Sequence, residues 1–377
     1  MNHILPLSRT WVEISLDALR HNFAYAQKLT GKKVLCVVKA DAYGHGAARC
    51  CQCLEAAGAD AFGVSCLSEA LELRQAGIQA PLLILGYTAP EYAAILGAQH
   101  ITQALQGEES ARALSQAALQ AGVTIEAHIK VDTGMGRLGI FAQTREACQA
   151  AVEEIARIYA LPGLRITGIF THFSAADDPE EDAYTRWQVE NYNAILSGLE
   201  AMGLRPETCH ACNSAGILRF PEAHLDMVRE GIMLYGLYPD SQPHPEGPLE
   251  PVMTLKSRVA QVRDLPAGSS VSYGRTYKAQ APLRTAVINI GYADGYPRRL
   301  SNLAHAYIGG KAYPQIGRVC MDTLMVDITG NTSIRPGDEV VLWGRGAVSI
   351  EEVALLAGTV NYELTCLVTQ RAARVYI

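Results

Sequence analysis

Val34-Leu35-Cys36-Val37-Val38-Lys39-Ala40-Asp41-Ala42-Tyr43-Gly44-His45-Gly46 joins an unbroken apolar run to a lysine, and then to a polar segment punctuated by glycine. A short continuous apolar run bounded by turn signals is the pattern of a strand buried on both faces, as in a parallel sheet. A strand that delivers one amine to a loop mouth is where a parallel α/β protein places a reactive lysine. Alone, a strand-end lysine is ordinarily a solvated charge, so the rest of the chain has to decide the meaning of Lys39.

Outward from this run, short apolar segments alternate with longer amphipathic ones from Lys33 to about Gly236, which is how βα units read. Candidate strands fall at Val34 to Val38, Ala61 to Ser65, Leu82 to Leu85, His100 to Ala104, Ile125 to Val131, Ile166 to Phe170, Thr208 to Cys212 and Asp226 to Val228. Eight such strands close a barrel. Helices are predicted between them, among them Ser68 to Ala76, opened by a hydroxyl and stopped at Gly77, and Glu108 to Gln120, stopped at Gly122. Between Pro239 and Pro251 five prolines fall in thirteen residues, a composition unsuited to a helix or an interior strand. The expected organisation is an α/β protein with a TIM-type (β/α)8 barrel over residues 10–240, followed by a mainly-β domain over 245–377 that also takes in residues 1–9. Within that second region, Val252 to Val262, Arg284 to Ile290 and Thr323 to Ile328 read as strands, and Ser349-Ile350-Glu351-Glu352 as a capping box opening a helix that Gly358 closes.

Composition excludes several functions. The chain has 377 residues, 49% of them hydrophobic, enough for sizeable cores, and its net charge of -6 supplies no basic stripe for nucleic acid. Met1 to Arg9 lacks the pattern of a secretory signal, and no apolar stretch approaches the roughly 18 residues that cross a membrane. A cytoplasmic protein is expected. Ten cysteines include the cluster Cys50, Cys51 and Cys53 and the pair Cys209 and Cys212, yet neither has a second ligand pair at zinc-site spacing. Reduced structural thiols and no metal are expected, with a redox Cys209-His210-Ala211-Cys212 as the minor alternative.

In a barrel of this type, chemistry sits at the carboxyl ends of the strands. Those positions hold Lys39, Asp132 with Arg137, His172, Asn213 with Ser214, and Arg229. An amine, two guanidinium groups, an imidazole and a helix-capping hydroxyl suit an anionic, phosphorylated molecule and a Schiff base. Ser214-Ala215-Gly216 at a helix start and Gly231-Ile232 offer backbone N–H donors to a phosphate. Each member also has a plain structural reading: Ser214 as a cap, His172 as a strand-end histidine, the arginines as partners of surface acids. Gly134-Met135-Gly136-Arg137-Leu138-Gly139 matches G-x-G-x-x-G, but Glu153 and Glu154, at the distance where a dinucleotide fold expects an acid ending a strand, lie in a helical stretch.

Val38-Lys39-Ala40-Asp41-Ala42-Tyr43-Gly44-His45-Gly46 resembles the pyridoxal 5'-phosphate (PLP) attachment motif of the bacterial alanine racemase family. Lys130 to Gly139, Val228-Arg229-Glu230-Gly231-Ile232, Ser272-Tyr273-Gly274, Gly291 to Arg298, Gly317 to Asp322 and Asn361-Tyr362-Glu363 resemble its other blocks in the same order. The resemblance implies a PLP-dependent racemase, assembled as a head-to-tail homodimer with shared active sites, that interconverts L- and D-alanine by two bases and supplies D-alanine for peptidoglycan. Lys39 would hold PLP and serve one face of Cα, and Tyr273 of the second subunit the other. Arg229 would face the pyridine nitrogen, and His172 would link Arg229 to Tyr273. Tyr43, Ser214, Gly231, Ile232 and Tyr362 would hold the phosphate. Arg137 would take the phenolic oxygen of PLP and bind the substrate, and Met321 of the second subunit would contact the substrate carboxylate through its backbone N–H. Asp177, Tyr292, Arg298 and Arg318 match the substrate corridor, and Lys130 matches a position that family members often carbamylate.

Rival expectations are a serine or serine/alanine racemase of the same family, a PLP decarboxylase on a similar scaffold, and a non-enzymatic PLP-binding barrel. The last resembles only the barrel half, whereas this chain carries Tyr273 and Met321 in a β-rich region. Tyr362 stands where a serine-preferring pocket is expected to carry a smaller polar residue.

Overall fold

The computed structural model of the chain describes residues 9–377. It divides into two compact units, one of residues 22–42 and 47–234, the other of residues 9–21, 43–46 and 235–377. Residues 1–8, which the sequence assigns to the second region, lie outside the described residues.

The first unit is the expected barrel. Its strands are Lys33–Val37, Ala61–Val64, Leu82–Ile84, Ile101–Leu105, Ile125–Asp132, Leu164–Phe170, Thr208–His210 and Met227–Glu230. Each of the first seven pairs in parallel with the next or is bridged to it, and Met227–Glu230 pairs back onto Lys33–Val37. Two backbone–backbone bonds span the seam between the seventh and eighth strands: Asp226 N–H to the Cys209 carbonyl at 3.2 Å and Arg229 N–H to the Cys212 carbonyl at 3.0 Å. Closure removes free strand edges, which is why runs such as Val34 to Val37 can be apolar throughout.

Helix ends follow local chemistry. Glu108–Ala121 stops at Gly122, whose φ of 67° is the left-handed value that glycine adopts without strain. The helix expected from Ser68 is Leu67–Gln75, and its N-cap is Cys66, which makes no side-chain cap bond. Glu69 explains the difference, because its carboxylate takes the Ser65 N–H at 2.7 Å and so organises the approach to the helix.

The second unit is mainly antiparallel. Met253–Leu265 is long enough to pair with Glu339–Trp343 along one part and Leu283–Ile288 along the other. Leu324–Asp327, Lys311–Ile316 and His305–Ile308 complete a closed six-stranded ring between them. Trp11–Ile14, placed with the barrel by the sequence reading, instead runs antiparallel to Met253–Leu265 and parallel to Ala373–Tyr376. The capping box forms as read: Ser349 accepts from the Glu352 N–H, Glu352 answers, and helix Ile350–Ala357 ends at Gly358. No described helix is long and apolar enough to cross a membrane.

Candidate active site

Lys39 leaves the first barrel strand through a backbone that the sequence does not announce. Ala40, Asp41, Ala42 and Tyr43 all have φ of 52–53°, a left-handed turn of four non-glycine residues. Each such residue costs about 1–2 kcal/mol, so neighbouring groups have to hold the turn. Asp41 accepts the Ala47 N–H at 2.7 Å, Glu69 accepts the Ala40 N–H at 2.7 Å, and the Ala42 N–H bonds the Val38 carbonyl at 2.9 Å. Strain held this way keeps Lys39 in one place relative to the rim.

Arg229, on the eighth strand, is 3% exposed and held on every side. Nη2 donates to the carbonyls of Thr171 at 2.8 Å and Ala211 at 2.7 Å and lies 3.2 Å from His172 Nδ1, while Nη1 lies 3.0 Å from His210 Nδ1. Guanidinium has only donors, so both Nδ1 atoms must accept. His210 Nε2 therefore carries the proton and donates to His128 Nδ1 at 2.9 Å, and His172 keeps its Nε2–H for another acceptor. Burial and the cation oppose any further proton: His128 is pushed down to about 4, and His172 and His210 well below the ordinary histidine value. Three neutral imidazoles thus have their tautomers set by one arginine. Burial also lowers Arg229 itself, to about 10, which leaves it charged at neutral pH.

Lys39, Lys130, Arg137 and Arg229 crowd the same rim, for each of the four acts electrostatically on His172. Lys130 is 5% exposed and pushed down to about 8, by burial first and then by Arg137 and Arg229. The carboxylate among them, Asp132, is already committed: it accepts the N–H groups of Gly134, Met135, Gly136 and Arg137 at 2.8–3.2 Å. The G-x-G-x-x-G segment is therefore a loop wrapped on Asp132, and it leads to the short strand Ile140–Phe141.

Ser214 does not cap its helix. Asn213 does, accepting the Gly216 N–H at 2.9 Å, and this frees the Ser214 hydroxyl to accept from the N–H of Gly231 at 3.0 Å and of Met233 at 3.4 Å. Ser214, Gly231 and Ile232 are all buried, and Ile232 opens a short 3-10 turn, Ile232–Tyr235. Asp177, from the same unit, is exposed in the loop after Leu164–Phe170.

The second unit carries the other expected residues. Tyr43 packs between Tyr235 and Tyr362, with ring centroids 5.0 and 6.2 Å away. Tyr273 opens a turn and is 70% exposed, and Met321 is 52% exposed. Arg318 lies against Gly274, where a Cβ would sit 3.2 Å from the guanidinium carbon, and its carbonyl accepts from the Ser272 hydroxyl at 2.6 Å. Tyr292 and Arg298 are exposed on neighbouring turns.

Sequence reasoning missed His128 and His210. A signal existed for the first, because His128, Lys130 and Asp132 alternate along one strand face, which an all-apolar barrel interior would not show. His210 was hidden inside the Cys209–Cys212 reading. Burial pushes both of those thiols up to about 12, and Cys212 donates to the Ala223 carbonyl at 3.2 Å.

Comparison with known proteins agrees with this architecture. The alanine racemase N-terminal domain matches residues 14–239 and the C-terminal domain residues 252–376. Alanine racemase of Desulfovibrio desulfuricans is 43% identical over 369 residues, covering 97% of this chain and 98% of that one. Alanine racemase of Clostridium difficile superposes with a TM-score of 0.90 at 37% identity, covering 98% of this chain and 96% of that one. Alanine racemase of Bartonella henselae with covalently bound pyridoxal phosphate superposes at 0.87 with 28% identity, covering 99% and 100% of the two chains. With both domains matched and identity above 40% across nearly its whole length, the chain belongs to the alanine racemase family and interconverts the enantiomers of alanine.

Proposed function

We propose that the chain racemises alanine with PLP held at the barrel mouth, Lys39 being its attachment point, and that two subunits share each site. The observation that carries this reading is the crowding of Lys39, Lys130, Arg137 and Arg229 around His172, with Asp132 already committed to backbone amides. Such an excess of positive charge is costly by itself and suits a ligand with a phosphate and a phenolate. When bound, PLP supplies the electron sink that acidifies the Cα–H bond.

The chain does the rest by placement. Ser214, Gly231, Ile232, Tyr43 and Tyr362 would hold the phosphate; Arg137 would hold the phenolic oxygen and, with the Met321 N–H of the other subunit, the substrate carboxylate. Arg229 would face the pyridine nitrogen, and because a guanidinium does not surrender its proton there, it would leave that nitrogen unprotonated. Lys39 Nζ takes or returns the proton on one face of Cα. Tyr273 of the other subunit does so on the opposite face, and the Nε2–H of His172 donates to its phenolic oxygen, which favours the ionised form. Asp177, Tyr292, Arg298 and Arg318 form the approach for a small zwitterion, and Lys130, if carbamylated, would turn from a cation into an acceptor for Arg137. D-Alanine made this way would feed peptidoglycan synthesis in the cytoplasm.

The test is α-proton exchange in heavy water, started from each enantiomer of alanine. Lys39→Ala is expected to lose both exchange and the visible absorbance of the attached cofactor, and an unchanged band refutes the attachment. Tyr273→Phe should slow exchange from L-alanine far more than it slows cofactor loading. Serine, tested beside alanine, should be handled about 100-fold less well, the limit for rejecting one extra hydroxyl in an apolar pocket.

A further inference from the structure

The turn that carries Met321 is tied to a second turn by two arginines that the reaction above does not use. Tyr292 N–H donates to the Cys320 carbonyl and Ala293 N–H to the Met321 carbonyl, both at 3.0 Å. Gly291 makes this approach possible, because a Cβ there would lie 2.3 Å from both of those carbonyl oxygens. Cys320 and Met321 share one peptide unit, and in a trans peptide the N–H points opposite to the C=O. Pinning the Cys320 carbonyl on Tyr292 therefore aims the Met321 N–H away from residues 291–294.

Behind the two turns lie Asp294, 1% exposed, and Asp322, half exposed. Arg9 reaches both, at 3.4 Å and 3.0 Å, and so does Arg371, at 3.3 Å and 2.7 Å. The four groups form a ring of alternating charge, anchored where Asp294 also accepts the Gly291 N–H at 2.9 Å. Arg371 and Arg9 together hold the Asp322 carboxyl below its ordinary range. An isolated surface pair would fix little, but two arginines sharing two carboxylates restrain one another.

We infer that Arg9 and Arg371 are positioning residues for the substrate carboxylate: through Asp294 and Asp322 they hold the two turns in register and so set the aim of the Met321 N–H. This rests on the reading that the Met321 N–H receives that carboxylate in the site of the other subunit. A donor fixed before binding recognises an anion better than one that must be ordered by it.

The holoenzyme tests this with alanine and alaninamide, which lacks the carboxylate, both followed by α-proton exchange. Arg371→Ala is expected to raise KM for alanine about tenfold, to change kcat less than about threefold, and to cut the preference for alanine over alaninamide by about tenfold. Arg371→Lys should restore part of that preference. An unchanged preference in Arg371→Ala, whether activity falls on both substrates together or not at all, overturns the inference. If Arg371→Ala does not fold, the same preference is measured in Arg9→Lys and Asp322→Asn, where a fall supports the inference and an unchanged value overturns it. A wild-type enzyme with no preference for alanine over alaninamide overturns instead the Met321 reading on which the inference stands.

Discussion

Glu230 lies one residue past Arg229 on the closing barrel strand, and its side chain faces the other way, as alternation requires. It is fully buried, neither carboxyl oxygen has a hydrogen-bond partner, and in the strand register it stands beside Cys36. Burial raises the Glu230 carboxyl well above its ordinary value, and the same burial, with Glu230 next, raises the Cys36 thiol. The titratable groups sharing these surroundings are Cys36 and, through it, Cys51 and Asp60. A carboxyl whose folded value exceeds its unfolded value of about 4.3 stabilises the fold below that pH, and the contribution is lost as pH rises toward the folded value. Glu230→Gln, neutral at every pH, should therefore gain on the wild type by up to about 1.4 kcal/mol per pH unit above pH 5, read from urea unfolding. Parallel curves for the two proteins would mean that Glu230 is ionised in the fold.

At the scale of elements, the strands Ile125–Asp132 and Leu164–Phe170 show how one residue makes room for another. A Cβ at Gly168 would stand 2.6–2.7 Å from the His128 ring. Gly168→Ala should cost about 1–3 kcal/mol in thermal or urea unfolding, by forcing the ring off His210. In the double variant with His128→Ala the costs should fall short of their sum by about 1 kcal/mol or more, and simple additivity would deny the contact. The sequence disclosed the barrel strands because each is a short apolar run between turn signals. It also disclosed Lys39, His172 and Arg229, because strand ends place chemistry at one rim. What it concealed were competitions that neighbours decide. Asn213 and Ser214 are both good caps, and only the nearby Gly231 and Met233 N–H groups settle which one turns away. Trp11–Ile14 is apolar enough for either unit, and its partners lie more than 230 residues further along the chain. The left-handed turn after Lys39 is built from alanine, aspartate and tyrosine, which carry no glycine signal for it.

For the whole molecule, the proposed sharing of sites between subunits has a numerical signature. Lys39→Ala and Tyr273→Phe homodimers should each be nearly inactive, yet unfolding and refolding them together at equal amounts should restore about one quarter of wild-type activity. Half of the dimers are then mixed, and each mixed dimer has one site with both native bases. Failure to recover activity, with mixed dimers shown to form by mass, would place Lys39 and Tyr273 in the same subunit's site. The sequence blocks from Lys39 to Tyr362 do not say by themselves which chain supplies which block, because order along a chain carries no information about symmetry.

Trp11–Ile14 sits between Met253–Leu265 and Ala373–Tyr376, so its sheet joins strands from the two ends of the described residues. The partners of this segment lie far along the sequence, whereas the barrel strands pair with nearer ones. Arg9 likewise finds its partner Asp322 at a sequence separation of 313 residues, and shares it with Arg371. Loss of Ala373–Tyr376 would strip the strand that flanks Trp11–Ile14 while leaving every pairing of the barrel strands in place.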